Sequence, residues 1–255
     1  MSLLSASRLT KSFGGLTAVS NLTFEVPGGS IVGVIGPNGA GKTTVFNLIT
    51  GIYRPDQGEI LFDGSSILGL PTHRIVARGI ARTFQTIRLF QNLSTLENVL
   101  AGYHCQMKTG LIGSLFHTGR QRREERQGIA TALKTLNFVG LEGQVEQPAR
   151  NLSYGNQRLL EIARALATNP QLLILDEPAG GMNEQETTRL VELIRSIRER
   201  GITILLIEHD MSLVMRVCEK IVVMEYGLKI AEGPPEEIKS DPKVVEAYLG
   251  TDHEW

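Results

Sequence analysis

The segment GPNGAGKTT, at positions 36–44, restricts the possible fold of this chain more than any other stretch of its sequence. It fills the pattern Gly-x4-Gly-Lys-Thr and follows an apolar run at 31–35. Glycines allow the backbone to curl so that several N–H groups point at one centre, and a helix that starts there adds partial positive charge. We therefore predict a strand, a phosphate-binding loop and a helix over 42–50.

The polar side chains of this loop suit a nucleoside triphosphate. Lys42 is placed to reach the β- and γ-phosphates, and the Thr43 hydroxyl to ligate Mg²⁺. The alternative is an ordinary tight turn between strand and helix, and the motif alone does not identify the nucleotide. We expect the whole loop to contact the phosphates: Gly36, Pro37, Asn38, Gly39, Ala40, Gly41, Lys42, Thr43 and Thr44.

Composition and charge argue against several classes of function. The chain has 255 residues with 26 basic and 27 acidic side chains, which gives no electrostatic reason to expect nucleic acid or an anionic membrane surface as a ligand. No signal peptide is evident, and no apolar run approaches the roughly 18 residues of a membrane span. We expect any role at a membrane to depend on a partner. Cys105 and Cys218 have no metal-ligand spacing, and we expect both to be reduced and inert.

The pattern of apolar residues changes along the chain. The first 65 residues alternate β-like segments with turns, and helical spacing takes over from about 94 to 168. Positions 108–127 are rich in glycine and then densely charged, which indicates an inserted loop that runs into a solvent-exposed helix. Apolar runs then alternate with helices and predict a parallel sheet buried on both faces. These runs occupy 172–177, 202–208 and 220–225.

Two acidic residues, Asp176 and Glu177, follow the apolar run of LLILDEP, where a buried parallel strand should end. Ligands of open α/β sheets bind beyond that edge of the sheet. Asp176 there suits Mg²⁺, partly through water, and Glu177 suits the polarisation of an attacking water molecule. The alternative is a strand end with two solvated acids.

Two further polar positions have both a functional and a structural interpretation. Ser153 and Gly155 lie at the start of a predicted helix, where they suit either an anion site or an ordinary N-cap. His209 ends another apolar strand. His209 suits a hydrogen bond to a γ-phosphate or a structural hydrogen bond. For a histidine at a strand end, considered by itself, the structural hydrogen bond is the better interpretation.

Taken in order, GPNGAGKT, Gln85, LSYGNQ, LLILDEP and His209 resemble the ATPase subunits of ABC transporters, and the resemblance covers nearly all of the chain. It implies an α/β fold of the P-loop NTPase class, with a RecA-like parallel core sheet, an N-terminal antiparallel β subdomain and an inserted α-helical subdomain. The resemblance also implies a single nucleotide-binding domain over 1–255, with the helical subdomain at about 92–168.

The same resemblance assigns roles to further residues. Phe13 matches the aromatic residue that stacks on adenine, and Gln85 in RTFQ matches the glutamine that contacts Mg²⁺ and signals to the membrane partner. His209 matches the switch histidine, and with Lys42 and Glu177 it makes up the expected catalytic set. Four signature residues match those that bind the γ-phosphate of ATP held by the opposite subunit: Ser153, Tyr154, Gly155 and Asn156.

This assignment implies two cassettes that face head to tail and close over two ATP molecules. Closure draws on ATP binding, and hydrolysis removes the γ-phosphate contact and reopens the pair. Opening and closing then drive a membrane partner between two access states. A lone subunit is expected to be a poor ATPase.

Departures from the common family pattern point to a subfamily. Tyr154 and Asn156 stand where Gly and Gln are frequent, and Asn183 stands where an aspartate is commoner, which leaves the usual inter-subunit contact of that loop open. Four longer segments resemble the ATPases of branched-chain amino acid importers, and the insertion at 108–127 fits the larger of their two ATPases. The segments are RTFQTIRLFQNLSTLENVL, LSYGNQRLLEIARAL, PAGGMNEQET and LLIEHDM.

The subfamily resemblance implies ATP and Mg²⁺ as cofactors and a defined set of partners. These are two transmembrane subunits, a second similar ATPase subunit and, indirectly, a periplasmic binding protein, with no nucleic acid; a homodimer is the alternative for the isolated chain. The expected location is peripheral, on the cytoplasmic face of the cell membrane. The identity of the solute depends on this resemblance alone, since related importers carry amides, urea or other small solutes.

Three rival interpretations stay open at this point. The ATPase of the lipopolysaccharide exporter is similar in length and signature but usually lacks the insertion at 108–127. A soluble ABC ATPase of translation or DNA repair normally fuses two cassettes or inserts a long coiled coil, unlike this chain. A P-loop kinase or GTPase is the third, but the guanine-reading tetrapeptide Asn-Lys-x-Asp does not occur in the sequence.

Overall fold

The computed structural model describes residues 2–106 and 119–249. The strands are β1 (Ser2–Phe13), β2 (Leu16–Pro27), β3 (Ile31–Ile35), β4 (Gln57–Phe62), β5 (Ser65–Ser66), β6 (Ile80–Arg82), β7 (Leu172–Asp176), β8 (Thr203–Ile207), β9 (Lys220–Glu225) and β10 (Leu228–Gly233). The α-helices are α1 (Lys42–Ile49), α2 (Thr72–Ala77), α3 (Thr95–Tyr103), α4 (Gly119–Phe138), α5 (Tyr154–Leu166), α6 (Glu184–Glu199), α7 (Met211–Val217), α8 (Pro235–Ser240) and α9 (Pro242–Leu249).

A six-stranded sheet forms the centre of the fold, in the order β10-β9-β3-β8-β7-β6. All neighbouring pairs are parallel except β9 with β10. Every residue of β3, β7 and β8 is buried. The prediction of a parallel sheet buried on both faces is therefore confirmed, and the carboxyl ends of these strands meet at one edge.

Alternate residues of the central strands enter two separate hydrophobic clusters. In β8, Ile204 and Leu206 pack on the side of α5 and α6, whereas Leu205 and Ile207 pack on the side of α1. This follows from the two-residue period of a strand, which points successive side chains to opposite faces. The two clusters pack against opposite faces of the sheet and hold it between them.

An antiparallel sheet of four strands, in the order β2-β1-β4-β5, covers the second cluster. Its inner face contributes fully buried Leu4 and Leu22 and nearly buried Phe24. The predicted N-terminal antiparallel β subdomain is thus confirmed. The β1–β2 hairpin turns at Gly14–Gly15, which places Phe13 next to the turn.

Helices α3, α4 and α5 pack against one another between β6 and β7 of the chain, as expected for an inserted helical part. Helix α3 begins with a capping box, in which the Ser94 side chain accepts from the Glu97 amide and the Glu97 carboxylate accepts from the Ser94 amide. Within the predicted insertion at 108–127, residues from 119 onward belong to α4, and 108–118 lie outside the described residues. The bounds 92–168 and the single domain stay predictions.

Both cysteines of the chain are free thiols, Cys105 exposed and Cys218 buried. Burial raises the pKa of Cys218 to about 12, so that its thiol is protonated and unreactive at neutral pH. As for membrane insertion, no helix within 2–106 and 119–249 has the length and apolar character that crossing a bilayer demands.

Candidate functional site

The predicted phosphate loop connects β3 to α1 and needs glycine at two of its positions. Gly36 has φ 150° and Gly41 has φ 98°. A Cβ at Gly36 would overlap the Met224 carbonyl oxygen, and one at Gly41 would overlap the Ala18 carbonyl oxygen. Gly41 is also the N-cap of α1 and offers no side-chain cap. The first amides of α1 therefore remain available for an anion.

Lys42, the first residue of α1, is buried against the loop that precedes it. Its Nζ donates to the Gly36 carbonyl at 2.6 Å and to the Pro37 carbonyl at 3.0 Å. Burial lowers the pKa of Lys42, and the negative charges of Glu177 and Asp176 raise it in part. The Lys42 ammonium is thus bound by neutral carbonyl oxygens, and the phosphate oxygens of a nucleotide can take their place.

Asp176 ends β7 and is engaged in a buried ion pair. Arg82, at the end of β6, donates from Nη2 to Asp176 Oδ2 at 2.6 Å. The same guanidinium donates from Nη1 to Asn47 Oδ1 at 2.7 Å, which connects it to α1. Arg82 therefore fixes the Asp176 carboxylate relative to the helix that follows the phosphate loop. Sequence reasoning missed Arg82, although it lies in the RTFQ segment.

Glu177 follows Asp176 in the left-handed backbone region, with φ 46°. This conformation is uncommon for a residue with a side chain and is held by the bond from the Glu177 amide to the Ile207 carbonyl. Gln85 donates from Nε2 to Glu177 Oε2 at 2.8 Å, and His209 Nδ1 lies 3.8 Å from the same oxygen. The His209 side chain is 61% exposed. The structure thus brings the three predicted residues together.

Glu208 connects the loop after Glu177 with the segment that carries His209. Its buried carboxylate accepts from the Ala179 amide at 2.9 Å, the His209 amide at 3.1 Å and the Asp210 amide at 3.3 Å. Burial raises the pKa of Glu208, and these hydrogen bonds lower it in part. Sequence reasoning missed Glu208, although an acid directly before a strand-end histidine is a signal that could have found it.

Two cavities flank the phosphate loop and share Asn38, Gln85 and Glu177. The larger has a volume of about 540 Å³, and the smaller, about 270 Å³, runs along the start of α1. The larger is lined by Gly36, Pro37, Asn38, Gln85, Glu177, His209, Asp210, Met211, Ser212 and Tyr248. The smaller is lined by Ala18, Asn38, Gly39, Ala40, Gly41, Lys42, Thr43, Thr44, Gln85 and Glu177.

The donor set of the smaller cavity fits Mg²⁺ bound together with a nucleotide. Thr43 and Gln85 line it and offer neutral oxygens, and Glu177, which also lines it, directly follows Asp176 at the end of β7. No group of three or more His, Cys, Asp or Glu side chains suited to a metal occurs in the described part of the chain. Magnesium keeps several waters and is commonly held by one or two protein oxygens plus phosphate, which these residues satisfy.

The signature residues are not part of the lining of either cavity. Ser153 is exposed and caps α5 by accepting from the Asn156 amide at 3.3 Å, in agreement with the structural interpretation of this position. Asn156 donates to Gln144 Oε1 at 3.0 Å, and Tyr154 is 47% exposed. None of these residues lines either cavity, so the structure does not bring them to Lys42 of the same chain.

Gly155 and Asn183 explain how the signature packs against α6. A Cβ at Gly155 would overlap the Glu186 carboxylate, so that a larger residue there would have to displace the Glu186 side chain. Asn183 Oδ1 accepts from the Glu186 amide at 3.0 Å, and Glu186 Oε2 accepts from the Asn183 amide at 2.9 Å. Asn183 is therefore the N-cap of α6 in a capping box.

Charged side chains of α5 bind the backbone around Gln85, from Phe84 to Arg88. Arg158 donates from Nη1 to the Phe84 carbonyl at 2.8 Å and from Nη2 to the Gln85 carbonyl at 2.6 Å. One turn on, Glu161 accepts from the Arg88 amide at 3.2 Å, and Arg164 donates to the Arg88 carbonyl. Sequence reasoning missed these three residues. Their spacing of three positions along the helix is the signal that could have found them.

Phe13 lies next to the turn of the β1–β2 hairpin and lines neither cavity. Its ring meets Tyr53 edge to face at 5.1 Å, Lys11 Nζ lies 5.3 Å from the ring centroid, and 41% of Phe13 is exposed. Ala18, in the same hairpin, touches Gly41, which places this aromatic surface next to the start of α1. Tyr53 is a second ring at this position that sequence reasoning did not identify.

Two family models match the chain. One, described as ABC transporter, matches residues 19–180, and one described as branched-chain amino acid ATP-binding cassette transporter matches residues 229–254. The first covers the phosphate loop, the signature and both acids. The second covers β10 and the C-terminal helices.

Among characterised relatives, BraF of Pseudomonas aeruginosa and LivG of Escherichia coli are high-affinity branched-chain amino acid transport ATP-binding proteins. Each is 47% identical to this chain over 249 residues, covering 97% of the chain and 98% of the relative. The lipopolysaccharide export ATP-binding protein LptB of Haemophilus influenzae is 36% identical, covering 98% of both chains.

Solved structures support the same relationship. An ATP-binding cassette of an ABC transporter in its ADP conformation has a TM-score of 0.86 and 35% identity, covering 98% of this chain and 99% of that one. A dimeric cassette in a post-hydrolysis state with ADP and Pi has a TM-score of 0.77 and 25% identity, covering 91% and 98%. With the matched family models and the phosphate-loop geometry, these findings show that the chain belongs to the ABC transporter family, as an ATP-binding cassette with ATPase activity.

Proposed function

We propose that this cassette powers an importer of branched-chain amino acids. The observation that carries the proposal is the 47% identity, over 97% of the chain, to two ATP-binding proteins of such transport systems. The lipopolysaccharide-export relative is more distant, at 36%. The match of residues 229–254 to the branched-chain cassette model favours the same subfamily.

ATP binding requires little rearrangement of the phosphate loop. Its amides and those of the first turn of α1 bind the phosphates, and Lys42 exchanges the Gly36 and Pro37 carbonyls for β- and γ-phosphate oxygens. The exchange is favourable because a buried ammonium gains an anionic partner. Phe13, supported by Tyr53, supplies the flat surface for adenine.

Hydrolysis uses the three side chains that meet at the larger cavity. Glu177 takes a proton from water as the water oxygen bonds to the γ-phosphorus and the bond to the ADP oxygen breaks. Glu177 lines both cavities that flank the phosphate loop. His209 holds the γ-phosphate. The Gln85 amide, which donates to Glu177 in this structure, has to release that carboxylate before Glu177 acts as the base.

Thr43, Gln85 and, through water, Asp176 would hold Mg²⁺, which when bound neutralises charge on the β- and γ-phosphate oxygens. Arg82 keeps the Asp176 carboxylate in place without the cation.

Ser153, Tyr154, Gly155 and Asn156 act on ATP held by a second cassette. Support comes from the exposure of Ser153 and Tyr154, neither of which lines the cavities of its own chain. The other proposed partners are two transmembrane subunits on the cytoplasmic face of the cell membrane and, through them, a periplasmic binding protein. Exposed Phe90 and Leu93, which follow the Gln85 segment, offer an apolar contact for a transmembrane subunit.

The test is Glu177→Gln in the transporter assembled with its membrane subunits, second cassette and binding protein. We expect a fall in kcat of about 10²- to 10⁴-fold, the usual contribution of a general base, and loss of labelled leucine uptake. ATP binding by the isolated chain should persist, and light scattering should detect an ATP-dependent dimer. Turnover at the wild-type rate would reject Glu177 as the base.

Glu199→Gln is the matched control, because it makes the same chemical change at an exposed position at the far end of α6. It should hydrolyse ATP and take up leucine like the wild type. ATPase activity that responds to a different solute, with no leucine uptake, would reject the substrate and retain the ATPase.

A further inference from the structure

Arg82 is a buried cation that binds both β7 and α1. Its side chain is 7% exposed, and its Nη2 donates to Asp176 Oδ2 at 2.6 Å. Its Nη1 donates to Asn47 Oδ1 at 2.7 Å and to Thr50 Oγ1 at 3.3 Å. The guanidinium is therefore fixed by the strand that carries one acid of the site and by the helix that follows the phosphate loop.

The contacts on α1 bring this charge close to the proposed magnesium ligands. Thr43 and Asn47 are four positions apart and Asn47 and Thr50 three, so the three side chains follow one another along one face of the helix. Neighbours at these spacings have Cβ atoms about 5–6 Å apart. Arg82 thus contacts Asp176 and lies about one helical turn from Thr43, which are two of the three proposed ligands.

Stability alone is a weak reason for an arginine at this position. The buried Arg82 Nε has no hydrogen-bond partner among the residues that the structure describes, and an unsatisfied buried donor costs free energy. Apolar side chains often replace a buried ion pair without loss of stability. The Arg82 Cζ also lies 5.8 Å from the Phe46 ring centroid and 5.3 Å from that of Phe84, and both rings suit an apolar neighbour as well. The charge of Arg82 is therefore the property to explain.

This charge offsets the single carboxylate among the proposed magnesium ligands. Asp176 is paired with Arg82, and the other two ligands contribute neutral oxygens. Lys42 and Glu177, which line the smaller cavity, add one charge of each sign. Mg²⁺ gives up its water reluctantly, so a site without net negative charge holds the ion weakly until phosphate oxygens supply that charge.

We propose that Arg82 is a positioning residue that makes the binding of Mg²⁺ depend on nucleotide. Its guanidinium neutralises Asp176, which disfavours the divalent cation as long as no nucleotide is bound. It also holds the carboxylate in place for an ion that arrives together with the phosphates. The inference rests on the proposed function of Asp176 as a ligand of Mg²⁺.

The test is the binding of Mn²⁺, a substitute for Mg²⁺ that EPR detects, to the isolated chain without nucleotide. Arg82→Met removes the charge, and we expect Mn²⁺ to bind at least about tenfold more tightly than to wild type. One neighbouring opposite charge shifts the proton affinity of a carboxylate by about one to three powers of ten, and a metal cation meets the same charge. Arg82→Lys keeps the charge and should stay within about threefold of wild type.

Arg198→Met is the matched control, because it makes the same change in an exposed ion pair, with Glu219, that is no part of the site. It should bind Mn²⁺ as weakly as wild type. The double variant Arg82→Met/Asp176→Asn removes both charges and should also return to wild-type binding. Thermal unfolding of each variant checks that it is folded, and a merely structural role of Arg82 would lower Tm without raising the affinity for Mn²⁺.

No gain of affinity in Arg82→Met, or a gain that persists in the double variant, overturns the proposal. Asp176→Asn keeps the test decisive if Arg82→Met does not fold. Equal Mn²⁺ binding by wild type and Asp176→Asn without nucleotide supports the proposal, because it means that the Asp176 charge is already offset. Tighter binding by wild type overturns it.

Titrations with a non-hydrolysable ATP analogue, in Mn²⁺ and in EDTA, separate this inference from the proposed function. Mn²⁺ should strengthen binding of the analogue to wild type more than to Asp176→Asn. Equal strengthening in both rejects Asp176 as a metal ligand, and the proposal with it. A smaller strengthening in Asp176→Asn, combined with no gain in Arg82→Met, rejects the role of Arg82 alone.

Discussion

Helices α1 and α5 both begin at proposed contacts of the same kind of ligand, yet their first turns differ. Helix α1 starts at Gly41, which provides no side-chain cap, and α5 starts at Ser153, whose hydroxyl accepts from the Asn156 amide. Lys42 is buried within the first site, whereas Ser153 is exposed. The α1 start is surrounded by the groups that hydrolysis needs, and the α5 start is not.

The difference shows how one chain carries two incomplete halves of a site. An uncapped helix start inside the protein keeps its amides for a ligand that must enter the same chain. A serine-capped start on the surface is stable without a ligand and can meet one that another molecule presents. The comparison therefore predicts that changes at α1 act within the chain, and that changes at α5 act only in the assembly.

Among changes that test the comparison of the two helix starts, Lys42→Ala should have the largest effect, and it should act at the α1 start. It removes the cation that the loop carbonyls hold, and we expect kcat/KM to fall about 10²- to 10³-fold, as for the loss of one preorganised group that stabilises transition-state charge. Steady-state hydrolysis by the assembly measures this effect. Lys134→Ala, at an exposed position of α4, is the control and should match wild type. Retained hydrolysis would contradict the role of Lys42.

Ser153→Arg should block hydrolysis in the assembly at the shared site and spare nucleotide binding by the isolated chain. The bulky cation occupies the α5 start and opposes its dipole. Ser153→Ala separates this effect from simple loss of the cap, which costs about 1 kcal/mol of unfolding free energy in either variant. Nucleotide titration and denaturant unfolding of the isolated chain measure the two quantities. Weaker ATP binding by the isolated arginine variant would mean that the signature acts on its own chain.

The α1 half of the site could be predicted from sequence because its signals are local. The glycine pattern, the buried strand β3 before it and the acids at the end of β7 each occupy a few consecutive residues. Periodicity also predicted the parallel sheet, because β3, β7 and β8 are apolar throughout. Short strands such as β6, with three residues, have too few positions to show a period and were missed.

The residues that sequence reasoning missed depend on contacts between distant segments. Arg82 meets Asp176 and Arg158 meets Gln85, and in both cases more than 70 residues separate the partners. Periodicity places a side chain on a face of an element, but it does not say which backbone group that face meets. The subfamily resemblance identified the chain's relatives and still left these contacts unseen.

Arg158→Lys should have the smallest effect and tests whether the two halves communicate. Arg158 ties Gln85, at the α1 site, to Tyr154, in the signature, since its Nη2 lies 2.6 Å from the Gln85 carbonyl and 3.0 Å from the Tyr154 hydroxyl. Lysine keeps the charge beside Glu161 but lacks the planar fork that reaches several acceptors at once. We expect a loss of about 1 to 2 kcal/mol in unfolding free energy and a several-fold fall in kcat of the assembly.

Arg198→Lys is the matched control, because Arg198 forms an exposed ion pair with Glu219 at 2.7 Å and tolerates the same exchange. It should leave both quantities at their wild-type values. The isolated chain with Arg158→Lys should bind ATP as the wild-type chain does, because the contacts of Lys42 do not involve Arg158. If its kcat in the assembly also stays at the wild-type value while stability falls, Arg158 supports only the packing of α5, and the two helix starts work without this link.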